Sequence, residues 1–241
     1  MKKIVIPTVL ILSIYVVFTS CLSPGFKIHG NGRVIEENRE VYEFRKIKID
    51  GVVNVHLIQG EKEEVRVETD ENLQPYIHVY TTGNTLVLDT EDGRDYKFTR
   101  NEIYVTFVNL EMIEMDGVGN LKCADPLNIQ SLTMEKDGVG SADILINCEE
   151  LKIKQGGVGN LNLSGNANIF ELRNTGVGSV NAYNLVSNYA DVKNTGVGST
   201  EVNANKEISI HSTGVGSVKY RGSAVIKEIN ASGIGSVKKT D

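Results

Sequence analysis

In the second half of the chain the apolar positions recur on two scales: every second residue within a block, and every 18 to 21 residues between blocks. One apolar series runs Ile113, Met134, Ile153, Leu172, Val192, Ile210 and Ile229. Four residues after each of these stands the first glycine of a short motif. The motifs begin at Gly117, Gly138, Gly157, Gly176, Gly196, Gly214 and Gly233, and read Gly-Val-Gly in six copies and Gly-Ile-Gly in the last. Beyond the second glycine an Asn or Ser follows, then Leu121, Ala142, Leu161, Val180, Thr200, Val218 and Val237, with polar residues such as Lys122, Asn162 and Glu201 next in line. Alternation with period two marks strands with one buried face, and no stretch here carries helical spacing. A repeat of about 20 residues marks a solenoid, in which each unit buries its apolar face only against its neighbours.

The pattern therefore predicts an all-β fold, a single-stranded parallel β-helix with about 19–20 residues per Gly-Val-Gly coil. Stacked at roughly 4.8 Å, the seven motifs cover about 34 Å of axis, and equivalent residues form columns. Glycine suits a corner because it accepts positive φ and has no Cβ to collide with the next coil. The valine between the glycines is expected to plug the corner from inside, and the following Asn or Ser to bond the turn's backbone. Asn174 and Asn194 should stack as an amide ladder with Gln155 next to them.

Upstream, Val41 to Asn54 carries the same alternation. Ile47, Gly51, Asn54, Val55 and Leu57 fill the repeat's slots, with only the second glycine lost to Val53. This is a degenerate first copy. Gln59-Gly60-Glu61-Lys62 suggests a hairpin or tight corner, Thr82-Gly83-Asn84 a turn, and Asp89 to Arg100 a charged loop. The division is a targeting segment over 1–20, a tether and edge strand over 21–40, and the β-helix over 41–241. Within the last, 41–116 are degenerate N-terminal coils and 117–241 the seven repeats.

The N-terminus carries a signal of a different kind. Lys2-Lys3 precede an apolar run from Ile4 to Phe18, too short to span a bilayer and typical of an export signal. It closes in Phe18-Thr19-Ser20-Cys21, which resembles a bacterial lipobox. Cys21 would then be the lipidated first residue of the mature protein, and two acyl chains suffice for stable anchoring. The formal charge is −6; without residues 1–20, 23 basic face 31 acidic residues. That balance argues against nucleic acid as a partner. Cys123 and Cys148 fall in different columns, about 13 Å apart along a strand, beyond the roughly 7 Å limit for a disulfide.

No catalytic, cofactor or metal constellation emerges. None of the Gly-x-Gly motifs continues to a phosphate-binding loop, and strands rather than helices follow them. The calcium-binding solenoid needs a carboxylate per repeat, and only Asp116 and Asp137 stand before the first glycines. His29, His56, His78 and His211 lack metal-ligand spacing. One outward face, with Glu114, Glu135, Lys154, Arg173, Lys193 and His211 beside Lys152, Glu171, Asp191 and Glu228, offers the mix of charges a polysaccharide lyase or hydrolase would use. It is equally an ordinary surface of paired charges.

The opening FRKIKIDGVVNVHLIQGEKEEVRVETD, the Gly-x-Gly-Ser/Asn series and the closing GVGSVKYRG resemble the bacterial family called "putative auto-transporter adhesin, head GIN domain", over roughly residues 41–222. The resemblance implies a right-handed parallel β-helix on exported, often lipidated proteins of Gram-negative bacteria, placed at the outer membrane. It also implies an adhesive role toward an unknown glycan or protein ligand, without the catalytic residues of pectin-lyase-like solenoids. The departure is valine where serine stands between the glycines. Two other readings stay open: a carbohydrate-active β-helix enzyme, and an envelope scaffold without a ligand of its own.

Overall fold

The computed structural model describes residues 27–240, so the export signal and Cys21 lie outside the described residues. The fold is a β-solenoid of about seven turns. Its main body is a stack of parallel strands, Ala142–Gln155, Leu161–Asn174, Val180–Asn194 and Thr200–Ser212, each running almost the whole way round a coil. Ile113, Met134, Ile153, Leu172, Val192, Ile210 and Ile229 pair one with the next in register. Six of them are buried; Ile229, in the last coil, is 37% exposed because nothing described lies above it.

The degenerate copy behaves as a true coil. Ile47 pairs with Ile113 on one side and with Leu86 on the other, and Val52 bridges Val118. Between Gln59 and Met112 the chain leaves the stack and returns beneath it. There Thr85–Thr90 and Asn101–Phe107 form one more parallel layer. Antiparallel strands close it: Ile77–Thr82 against Thr85–Thr90, Glu64–Asp70 against Asn101–Phe107, and Val34–Arg39 against Glu64–Asp70. Gly60 is thus not the tip of a hairpin, because Asn101–Phe107 is inserted between Asn54–Gln59 and Glu64–Asp70. The turn at Gly83 does make a hairpin, with φ of 59°. This antiparallel layer satisfies the backbone groups that a bare coil would leave unpaired. A single 3-10 turn, Gln74–Tyr76, is the sole helical piece among the described residues.

One inward column changes character along the axis. It runs Ile49, Met115, Lys136, Gln155, Asn174, Asn194 and Ser212. The Asn174 amide donates to Asn194 Oδ1 at 2.8 Å, whereas Gln155 turns to the Gly159 carbonyl at 3.1 Å. Lys136 is fully buried, and its ammonium donates to the Val158 carbonyl at 3.2 Å. Burial pushes this ammonium below its ordinary value, and Asp137 offsets the shift only in part. Cys123 and Cys148 are free thiols, and burial pushes Cys148 up to about 11.

Candidate functional site

The glycine corners build an exposed apolar ridge. Along each coil, residues at −4, −2 and 0 from the first glycine face inward, so parity sends the residue between the glycines outward. Val52, Val118, Val139, Val158, Val177, Val197 and Val215 are 41–51% exposed, and Ile234 is 76% exposed. The expectation that these valines plug the corner from inside is therefore overturned: the glycines themselves take the inner positions. A Cβ on Gly176 would collide with the Gly157 carbonyl, and one on Gly178 with the Gly159 carbonyl. The second glycines alone are left-handed, at +136° in Gly178, Gly198 and Gly216; the first glycines need closeness, not positive φ.

Backbone bonding holds the ridge straight. Val139 N–H donates to the Gly117 carbonyl at 3.0 Å, and the Val139 carbonyl accepts from Gly119 N–H at 2.9 Å; the same pair recurs up the stack. The column after the second glycine caps the corner of the coil above. Asn120 Oδ1 accepts from Ser141 N–H at 3.0 Å and Asn160 Oδ1 from Ser179 N–H at 2.9 Å. On the other flank the outward residues are Asp50, Asp116 and Asp137, then Gly156, Thr175, Thr195, Thr213 and Ser232. Burial, with the neighbouring Asp50 carboxylate next in weight, raises the Asp116 carboxyl above its usual range.

At its N-terminal end the ridge forms one wall of a cleft of about 790 Å³. Val52 and Val118 line it together with Tyr96, Phe98, Asn54 and His56. His56 is stacked on Tyr104 with ring centroids 4.7 Å apart, and its Nε2 lies 2.6 Å from Glu102 Oε2. Arg66 covers Tyr104 at 4.2 Å and pairs with Glu36 at 2.6 Å, while Arg100 pairs with Glu68 at 2.9 Å. Asn101 Nδ2 donates to the Val52 carbonyl, leaving Asn101 Oδ1 buried without a described partner. The overhanging wall is tied down by Asp70. Burial pushes this carboxyl up, but donation from Thr99 N–H at 2.7 Å and Gly32 N–H at 2.8 Å brings it below its ordinary value. Sequence reading missed the cleft because its parts lie between residues 50 and 122 with no local signal joining them.

The charged outward face is real and partly paired. Lys154 pairs with Glu135, Lys152 with Glu171 at 3.0 Å and His211 with Glu228 at 3.5 Å. A shallow groove of about 290 Å³ remains over Glu171, Arg173, Asp191, Lys193, His211 and Glu228. Among the described residues no cluster of His, Cys, Asp and Glu is arranged to hold a metal ion. No described helix is long and apolar enough to cross a membrane. The one functional residue that the sequence assigns, Cys21, lies outside the described residues.

A crystal structure of a "putative adhesin" from Bacteroides fragilis is 32% identical, with a TM-score of 0.86, over 88% of this chain and 100% of that one. A "putative adhesin" from Parabacteroides merdae shares the fold at 21% identity and a TM-score of 0.66, over 90% of this chain and 100% of that one. A "putative lipid binding protein" from Parabacteroides distasonis does so at 18% and 0.64, over 89% and 100%. No functionally curated protein matches the chain. The family model described as "putative auto-transporter adhesin, head GIN domain" matches residues 43–224, and the chain belongs to that family.

Proposed function

We propose that this protein is a lipid-anchored, non-enzymatic adhesion module of the bacterial cell envelope, held at the outer membrane through Cys21 and displaying the solenoid to a glycan or protein ligand. The observation that carries the reading is the ridge and its flanks. Rigid, repeated ladders in fixed register form a surface for contact, not a converging set of reactive groups. The charged face supports it, because three of its carboxylates, Glu135, Glu171 and Glu228, each face a basic residue on an adjacent coil. Lipidation rests on the Phe18-Thr19-Ser20-Cys21 sequence. In cell fractionation, Cys21→Ser protein is expected to leave the membrane fraction while keeping the wild-type circular dichroism. Attachment of cells through this protein is expected to be lost, since a bound rod no longer links ligand to cell. Retention of the variant in the membrane would remove the lipid anchor from the proposal.

The groove over Asp191 favours a second reading, a carbohydrate-active enzyme, because Glu171, Asp191 and Glu228 line it together. Turnover of a polysaccharide by the purified chain, lost on Asp191→Asn, would replace the adhesive reading with this one.

A further inference from the structure

We infer that the valine ridge is a self-association surface, and that its partner is a second copy of this chain lying antiparallel. This goes beyond the adhesion reading and rests on it only for the cellular consequence given below. Eight aliphatic side chains from Val52 to Ile234 stand in one line, each at least two-fifths exposed, over about 34 Å. A contiguous apolar strip of this kind marks an interaction site, and valine's stiff side chain loses little freedom when it is covered. The flanking columns of hydroxyl and amide residues are short, so a flat partner meets the valines directly. The amide oxygens of Asn120 and Asn160 are already committed to the corners above them, which leaves a saccharide few acceptors along the ridge.

A second ridge fits better. Both copies carry the same repeat, so each side chain of one ridge meets one of the other along the full length in a dry contact. With its two flanking columns the strip measures roughly 34 Å by 13 Å, on the order of 900 Å² for a pair, below the roughly 1,200 Å² of a stable complex and in the range of weak, transient contacts. Charge sets the direction. Asp50, Asp116 and Asp137 crowd one end of the strip, and of the three only Asp50 is paired, with Lys48 at 2.7 Å. Parallel copies would gather six carboxylates at one end, within about a Debye length of each other. Antiparallel copies separate the two aspartate triads and set each against the hydroxyl flank of the partner, at Thr195, Thr213 and Ser232. The two-fold axis then falls between Val158 and Val177, so that Val158 of one copy faces Val177 of the other. Ile234, the most exposed member, reaches the partner's cleft beside Val52 and Val118. Because the N-terminal ends point in opposite directions, two anchored copies paired in this way would sit on opposing membranes.

Sedimentation of the full chain in detergent, from about 5 to 500 µM, is expected to show a concentration-dependent dimer. Val158→Glu with Val177→Glu should weaken it at least tenfold, since like charges then meet across the two-fold. Both valines are half-exposed, so thermal unfolding should be unchanged and a fold defect can be told apart from lost pairing. Val158→Glu with Val177→Lys should restore the dimer, because opposite charges then face each other between copies. Restoration is impossible in a parallel pair, where each position meets itself. A chain that stays monomeric to 500 µM overturns the inference, and so does a dimer indifferent to both double variants. A dimer disrupted instead by Val225→Glu with Ile226→Glu would assign association to the open last coil. A monomer whose binding to a glycan array falls with the ridge variants would hand the ridge to a saccharide. Phosphatidylcholine vesicles carrying the lipidated chain should cluster, and the Val158→Glu, Val177→Glu protein should not cluster them. Pairing in detergent without vesicle clustering would keep the surface and remove its adhesive use.

Discussion

At the scale of single residues, two positions show how little freedom the stack allows. Gly178 combines a φ of +136° with backbone so close that a Cβ would collide with the Gly159 carbonyl. Gly178→Ala is expected to cost at least about 2 kcal/mol, or roughly 4–8 °C in the midpoint of thermal unfolding. Lys136 is the opposite case, a cation in a column of apolar and amide side chains. Its folded ammonium titrates below the ordinary value of 10.5, so its burial cost is complete below the folded value and is relieved as pH rises toward 10.5. Lys136→Met should therefore stabilise the protein by about 1 kcal/mol or more at neutral pH. The advantage should shrink in melts taken at increasing pH up to 10. Both residues were legible in part. The register places Lys136 two before Gly138, an inward slot, and parity turns Val118 and its equivalents outward. Reading the corner as a plug overlooked that the glycines already occupy the inner positions.

At the scale of elements, the seven repeats and the Gly51 copy were readable because each coil repeats its neighbour's spacing. The antiparallel closing layer was not. Glu64–Asp70 and Asn54–Gln59 share the same period-two pattern, and nothing local says that Asn101–Phe107 will be inserted between them. The cleft inherits that opacity, since its overhanging wall depends on Asp70 reaching Thr99 and Gly32. This carboxyl is held below its ordinary value of 3.8, so its stabilisation is present above that pH and is lost as pH falls through the lower folded value. Hydrogen exchange at the Thr99 amide should be slow at neutral pH and accelerate below about pH 4. Asp70→Asn should show fast exchange at every pH, with the repeat coils still protected.

At the scale of the whole molecule, the stack has unlike ends. Antiparallel strands seal the first, while the last described coil leaves Val225, Ile226 and Ile234 exposed. The join at the sealed end has a kinetic meaning. Neighbouring repeats meet across 18 to 21 residues of chain, but Gly51 meets Gly117 across 66. Closing the longer loop costs about 1 kcal/mol more in chain entropy before any contact rewards it. Short closures form first, so the repeats are the natural nucleus and the first segment to leave the ribosome is among the last to find its place. The strands that will seal the solenoid are made before the stack they seal, and of them only the short hairpin around Gly83 can pair at once.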